Sequence, residues 1–145
     1  MSADLGKFEL LQELSEAQHD ALAELLEERQ LAAGDFVFRC GEEAAELFLI
    51  ADGSIRLEIK RRELGVLRAG ESIGAVSLAV VGNRQCDAVA LESTSLLALN
   101  REGYLRLRAD APAVALALQE GILRSFAGFL RSTVADRRAA PAAGP

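Results

Sequence analysis

Residues 70–90 read GESIGAVSLAVVGNRQCDAVA, a short apolar run with glycines on either side and an arginine behind it. The pattern predicts a strand ending at Gly74, one helical turn over Val76 to Val80, a loop at Gly82-Asn83 and a new strand from Arg84. A glycine lets a ligand approach the backbone, and the start of a helical turn offers unpaired N–H groups to an anion. Because an arginine can hold a phosphate through two parallel hydrogen bonds, the stretch predicts an anion-binding cradle.

Glycine and arginine at a strand–turn–strand junction more often serve a tight turn and a solvated charge. The spacing of these residues is therefore stronger evidence for a binding site than their presence. The spacing resembles the phosphate-binding cassette of cyclic nucleotide-binding domains. That cassette reads roughly Phe-Gly-Glu-Leu-Ala-Leu, then a variable spacer, then an arginine with two small residues and an alternating strand. Residues 72–78 match its first part, and residues 84–86 with Ala88 and Ala90 match its second.

The resemblance implies a role for each residue of the cradle. Arg84 would bind the phosphate, and Gly74 with the backbone N–H groups of Ala75 and Val76 would surround it. Two further residues would lie beside the phosphate, namely Gln85 and Cys86. The implied ligand is cAMP, cGMP or another cyclic nucleotide, or a related phosphorylated molecule.

One mismatch with the family pattern matters greatly for ligand binding. The family's glutamate, which accepts a hydrogen bond from the ribose 2′-hydroxyl, falls on Ala75. Losing a charged acceptor costs about 1.5–3 kcal/mol, a roughly ten- to hundredfold weaker affinity. The sequence therefore predicts weak or atypical nucleotide binding.

Composition and charge bound the possible functions. The chain has 145 residues, half of them apolar, which suits one domain with its own core. With a formal charge of −6 and a pI near 4.9, the molecule as a whole repels polyanions, so direct nucleic-acid binding is not expected. The basic run Lys60-Arg61-Arg62 is expected at a hairpin tip, and Arg137-Arg138 at a helix end.

Cysteine and histidine usage adds further expectations. Cys40 and Cys86 lack metal-ligand spacing and no signal peptide is evident, which predicts free thiols in a reducing cytoplasm. No apolar run is expected to span a membrane. With His19 as the only histidine and no nucleophile–base pair or carboxylate dyad, neither a metal centre nor an enzyme is expected.

The periodicity divides the chain into one domain over residues 1–136 and a disordered tail over 137–145. Residues 1–29 are predicted to be helical, and Ser15 with Gln18 forms a capping-box pattern. Residues 30–100 alternate as antiparallel strands, and Asp52-Gly53 predicts a hairpin with a type I′ turn. Strands are predicted over residues 35–39, 46–51, 54–59, 64–67, 72–74, 85–91 and 95–100, with chain reversals at Gly34, Gly41, Gly53 and Gly70.

Residues 101–136 return to helix, with a short segment from Arg101 to Leu107 and a long helix from Pro112 to Asp136. Two apolar seams run along the long helix, of which only one can face the domain itself. The first seam consists of Leu116, Leu123, Phe126 and Leu130, and the second of Val114, Leu118, Ile122 and Phe129. Gly121 and Gly128 would permit a close approach to another helix or to a ligand.

Resemblance to the family covers residues 8 to 135 and implies a mainly β, α+β fold: an antiparallel β-roll, or jelly roll, with N-terminal helices and a long C-terminal helix. In members of the catabolite activator type this helix serves as a lid and dimer seam. The polar pair that meets adenine there falls on Phe129 and Leu130.

Two functions stay open. The first is a non-enzymatic regulatory module that binds a cyclic nucleotide. The second is a degenerate roll that serves dimerisation or binding to a protein partner without a nucleotide. Both predict a homodimer through the C-terminal helix.

Overall fold

Alternating apolar side chains in short strands give two antiparallel sheets that face each other. The computed structural model describes residues 4–78, 80 and 82–139. One sheet has the order β1-β10-β4-β7, the other has β2-β9-β5-β6, and β3 pairs with β8. The strands are β1 (Glu27–Leu31), β2 (Phe36–Phe38), β3 (Glu43–Ala44), β4 (Glu46–Asp52), β5 (Ser54–Ile59), β6 (Arg62–Arg68), β7 (Ser72–Ile73), β8 (Gly82–Asn83), β9 (Asp87–Ala90) and β10 (Thr94–Asn100).

Helices cover the outer face of the first sheet. They are α1 (Glu16–Ala23), α2 (Arg101–Asp110) and α3 (Pro112–Ala139), with 3₁₀ turns at Leu5–Lys7, Glu9–Leu11 and Ala75–Leu78. The capping box at Ser15 and Gln18 is confirmed, since each side chain accepts a hydrogen bond from the other's backbone N–H.

Strands β4 and β10 are buried on both faces, and their alternate residues supply two cores. Phe48 and Ile50 of β4 point into the roll with Leu96 and Ala98 of β10, whereas the residues between them face the helices. The inner core also holds Phe38, Ile55, Ile73 and Ala88. The predicted fold class, an antiparallel roll with flanking helices, is confirmed.

The prediction of a hairpin at Asp52-Gly53 is wrong. Asp52 belongs to β4 and pairs with Ser95, while β5 belongs to the other sheet, so the chain crosses between sheets at this point. Gly53 has φ +94°, and a Cβ there would lie 2.7 Å from the carbonyl oxygen of Ser93. Close approach to the chain before β10 explains this glycine.

The two-residue hairpin lies instead between β5 and β6. Lys60 and Arg61 have φ values of 49° and 67°, and Ile59 pairs with Arg62 across the turn. Positive φ at both central residues is the type I′ geometry that matches the twist of paired strands. The expectation of a charged hairpin tip is confirmed.

Several predicted boundaries also change. Strand β1 begins at Glu27, three residues before the predicted start of the roll, and α3 reaches Ala139 rather than Asp136. The predicted tail is thus helical over 137–139, and its remainder lies outside the described residues. The loop predicted at Gly82-Asn83 is strand β8, and the strand predicted from Arg84 begins at Asp87.

By length and composition, residues Pro112–Ser132 of α3 could cross a membrane, contrary to the sequence expectation. A single helix of this kind is weak evidence, because helices of soluble proteins pass the same test. In this molecule one side of α3 packs on the domain, with Val114 and Leu118 buried.

Candidate functional site

Arg84 lies in the irregular link between β8 and β9, and its side chain turns into the molecule. Its backbone N–H donates to the carbonyl oxygen of Glu42 at 2.7 Å, and its own carbonyl accepts from Gly41 at 2.9 Å. These bonds hold the link against the segment after β2. The side chain is only 8% exposed, with its guanidinium carbon 4.2 Å from the centre of the Phe38 ring.

The guanidinium contacts neutral oxygens. Nη1 donates to the Ser77 hydroxyl at 3.2 Å and Nη2 donates to the Glu46 carbonyl oxygen at 2.9 Å, whereas the buried Nε has no partner. Within the described residues no carboxylate forms an ion pair with Arg84, because the Glu46 carboxylate is bonded to Arg29. A buried cation without a carboxylate partner favours a bound anion.

Burial is also the main influence on the protonation of this group. It lowers the pKa of the Arg84 guanidinium, and negative charge at Glu46, Cys86 and Glu42 opposes that shift. Arginine stays protonated in proteins, so the site keeps a positive charge.

Gly74 brings the backbone against this charge. Its φ is +84°, and a Cβ at this position would lie 2.5 Å from Nη1 of Arg84 and 2.7 Å from the Glu46 carbonyl oxygen. Only glycine fits both the conformation and the space. The sequence predicted that Gly74 and Arg84 belong to one site, and the structure brings them into contact.

The other cassette residues surround this contact to different degrees. Ala75 is half-buried and Val76 exposed at the start of the 3₁₀ turn Ala75–Leu78. Gln85 is exposed and donates to the Asn83 carbonyl oxygen at 3.4 Å. Cys86 is half-buried against the inner core.

A cavity of about 450 Å³ lies between the roll and α3. Gly74 and Ala75 border it from the cassette, and Leu57 and Leu67 from the second sheet. The remaining lining residues are Glu9, Leu10, Glu71, Ser72, Ile73, Ile122, Ser125, Phe126 and Phe129. Arg84 does not line this cavity. Its guanidinium lies against Gly74, which borders the cavity, so the Arg84 side chain would have to move to contact a ligand inside it.

The residues predicted to be functional on α3 lie partly against the cavity and partly on the exposed surface. Phe126 and Phe129 line the cavity, although Phe129 is also 67% exposed. Leu116, Leu123 and Leu130 are exposed. The second seam therefore faces the domain through Val114, Leu118 and the half-buried Ile122, while the first seam is largely uncovered.

The two glycines of α3 serve different surroundings. A Cβ at Gly121 would overlap the carbonyl oxygen of Leu10, so this glycine permits a close approach of α3 to the 3₁₀ turn Glu9–Leu11 of the same chain. A Cβ at Gly128 would meet nothing within 4 Å.

Sequence reasoning missed Arg101 and Ser125. The Nη2 atom of Arg101 donates to the carbonyl oxygens of Ser77 at 2.8 Å and Ala44 at 3.0 Å, which ties the cassette turn to β3 and α2. A cation at the first position of a helix is unfavourable to the helix dipole, so Arg101 at the start of the predicted helix could have indicated a specific role for this residue. Ser125 brings a polar group to the cavity one helical turn before Phe129.

The fold and this site define a cyclic nucleotide-binding domain. The cyclic nucleotide-binding domain model matches residues 28–111, more than half of the chain, and the chain belongs to this family.

Individual relatives add detail. The chain is similar to the cyclic AMP receptor protein of Thermus thermophilus, at 36% identity over 107 residues, which are 70% of this chain and 50% of that protein. It spans only part of the curated relatives it matches. Among solved structures, the N-terminal domain of a transcriptional regulator from Streptomyces coelicolor has a TM-score of 0.75 and 30% identity, covering 90% of this chain and 94% of that one. The Thermus thermophilus catabolite activator protein has a TM-score of 0.76 and 30% identity, covering 90% and 62%.

Proposed function

We propose that this chain is a non-enzymatic regulatory module of the cytoplasm that binds a cyclic nucleotide or a related phosphorylated ligand. The observation that carries the proposal is the buried Arg84 guanidinium, which contacts Gly74 and lacks a carboxylate partner among the described residues. The relatives point the same way, since they include a cyclic AMP receptor protein and cGMP-dependent protein kinases.

The cavity beside Gly74 supports a ligand larger than phosphate. Apolar side chains of Leu57, Leu67 and Phe126 suit the faces of a base, and Ser125 offers a polar contact. Binding is weak or atypical because Ala75 cannot accept a hydrogen bond from a ribose 2′-hydroxyl.

Calorimetric titration with cAMP, cGMP and 2′-deoxy-cAMP tests this proposal. We expect weak binding, with 2′-deoxy-cAMP equal to cAMP because no acceptor at position 75 distinguishes them. Submicromolar cAMP affinity would show that the role assigned to Ala75 is wrong.

A matched pair of variants tests the role of Arg84. Arg84→Ala should abolish any ligand-induced rise in melting temperature, since it removes the guanidinium that lies against Gly74. Arg106→Ala removes an exposed arginine of α2 and should leave that rise unchanged. Equal responses from the two variants would exclude Arg84 from the site.

The alternative is a degenerate roll that serves dimerisation or a protein partner without any nucleotide. Two observations support this alternative. The Arg84 guanidinium already donates hydrogen bonds to the Ser77 hydroxyl and the Glu46 carbonyl oxygen, and Arg84 does not line the cavity. No response to any of the three nucleotides, nor to inorganic phosphate, would favour this alternative.

We also propose that two copies pair through α3. The support is its exposed apolar face, on which Leu123 is 67% exposed and Leu130 60%. Apolar surface of this extent on one helix favours a second apolar surface over water.

A further inference from the structure

The Ser77 hydroxyl is bonded to the guanidinium on which the proposed site depends. It accepts a hydrogen bond from Nη1 of Arg84 at 3.2 Å, and both residues are almost fully buried, with 5% of Ser77 and 8% of Arg84 exposed. Nη1 is also the atom that lies against Gly74, where a Cβ would be 2.5 Å away. Because Gly74 borders the cavity, the nitrogen bonded to Ser77 lies at the edge of the cavity.

Ser77 is itself held in place by bonds that do not involve Arg84. Its backbone N–H donates to the carbonyl oxygen of Gly74 at 2.9 Å, and its own carbonyl oxygen accepts from Nη2 of Arg101 at 2.8 Å. The same Nη2 atom donates to the carbonyl oxygen of Ala44 at 3.0 Å, which anchors Arg101 in turn. The hydroxyl is therefore presented to Arg84 by a turn that is fixed on two sides.

The cassette pattern has no hydroxyl at this position. When the pattern Phe-Gly-Glu-Leu-Ala-Leu is aligned on Gly74, it covers residues 73–78 and its alanine falls on Ser77. The hydroxyl is thus a feature of this chain that the resemblance does not imply. Since alanine suits the same turn in the pattern, Ser77→Ala is a conservative change with which to test it.

We propose that Ser77 is an internal competitor for Arg84, a residue that lowers the affinity of the site for a phosphorylated ligand. In the free protein its hydroxyl holds the guanidinium outside the cavity, and the phosphate of a ligand has to displace it. This role rests on the proposed function, since a competitor matters only if a ligand binds. It weakens binding in addition to the missing acceptor at Ala75.

The competition follows from where the guanidinium would have to go. Arg84 does not line the cavity, so contact with a ligand inside it requires the side chain to move. That movement breaks the bond to Ser77 and the bond from Nη2 to the Glu46 carbonyl oxygen. A phosphate accepts a stronger, charge-assisted hydrogen bond than a neutral hydroxyl does, so it can replace the serine. The measured affinity is lowered because only the released form of Arg84 is competent to bind.

Calorimetric titration of the full chain with cAMP compares the wild type with Ser77→Ala. We expect the variant to bind cAMP about three- to tenfold more tightly, because the ligand no longer has to break this hydrogen bond. Adenosine has no phosphate to place on Arg84 and should show no such gain. Unchanged or weaker cAMP binding by Ser77→Ala, or an equal gain with adenosine, would overturn the proposal.

Ser54→Ala supplies a matched control. Ser54 is buried to a similar extent, at 4% exposed, and its hydroxyl donates to the Glu92 carboxylate at 2.7 Å rather than bonding to Arg84. Loss of this hydroxyl should leave cAMP affinity unchanged. A gain as large as that of Ser77→Ala would show that a loosened roll, and not the release of Arg84, increases binding, and the competitor role would be wrong.

A double-mutant cycle in unfolding tests the bond between Ser77 and Arg84 without a ligand. Arg84→Met removes the donor but keeps a long side chain next to Phe38. Urea denaturation of the two single variants and the double variant gives the three unfolding constants. The double variant's constant should rise by about three- to tenfold less than the product of the two single effects, because the bond can be lost only once. Effects that simply multiply would show that the bond contributes nothing, which contradicts the proposal.

The titrations also separate a failure of this inference from a failure of the proposed function. Binding of cAMP by the wild type with no gain in Ser77→Ala removes the competitor role alone. If neither protein responds to cAMP, cGMP or inorganic phosphate, the proposed function fails and the competitor role fails with it.

Discussion

At position 75, alanine stands where the sequence resemblance leads us to expect the family's glutamate. Ala75 borders both the cavity of about 450 Å³ between the roll and α3 and a smaller one of about 270 Å³ beside Tyr104. Ala75→Glu should strengthen cAMP binding by about 1.5–3 kcal/mol, or roughly ten- to hundredfold, because it supplies the missing acceptor. Calorimetry measures the gain.

Two controls separate this acceptor from a general effect of charge. Val76→Glu puts a carboxylate on the adjacent, exposed position and should bring no gain. The Ala75→Glu variant should also bind 2′-deoxy-cAMP no better than the wild type does. An equal gain with the deoxy ligand would contradict the assignment of position 75 to the ribose.

Arg101 is a positioning residue whose loss should be measurable as stability. Arg101→Met leaves the carbonyl oxygens of Ser77 and Ala44 without their donor, and should lower the free energy of unfolding by about 1.5–3 kcal/mol. Urea denaturation gives this value. Arg106→Met, on the exposed side of the same helix, should change stability by less than about 0.5 kcal/mol. A similar loss in both variants would indicate that α2 needs arginine for helix formation alone.

At the level of elements, the two glycines of α3 provide an internal comparison. Gly128→Ala should raise stability by up to about 1 kcal/mol, since alanine favours helix and nothing lies near the new Cβ. Gly121→Ala should lower it, because the new methyl group would overlap the Leu10 carbonyl oxygen. Thermal unfolding of dilute protein compares them. A destabilising Gly128→Ala would mean that another backbone packs closely there.

The exposed seam of α3 makes a prediction about assembly. Leu123→Glu should split the proposed dimer while the roll stays folded, because it forces like charges into an apolar contact. Light scattering gives the mass, and circular dichroism reports the fold. Leu105→Glu changes a leucine of α2 that is 51% exposed, and should leave the dimer intact. A wild type that is monomeric at high micromolar concentration would refute pairing through α3.

For the whole molecule, the fold was predictable because its signals are local. The spacing of the cassette, the capping box at Ser15 and the alternation within β5 each depend on residues close together in sequence. Glycines at the predicted corners confirm this, since Gly34, Gly41, Gly53 and Gly70 all have positive φ.

The errors occurred where distant partners decide the structure. Asp52-Gly53 has the composition of a hairpin, but the neighbours of β4 and β5 are strands from later in the chain. Strand β8 exists because β3 pairs with it, and Gly121 is explained by the carbonyl of Leu10. The inward direction of Arg84 likewise depends on Phe38, Glu46 and Ser77. Residue types near each position do not encode such contacts.

The pairing of the first sheet has a consequence for how the chain reaches this structure. Strand β10 lies between β1 and β4, with Ala98 opposite Glu27 and Leu97 opposite Leu49. The ribosome therefore synthesises β1 and β4 long before β10, so the first sheet cannot form by successive hairpins during synthesis. Topologies rich in such distant pairs fold in roughly milliseconds to seconds. Until β10 has left the ribosome, β1 and β4 present open edges to other nascent chains. Chains truncated before Thr94 should therefore aggregate more readily than the full chain, which light scattering would measure.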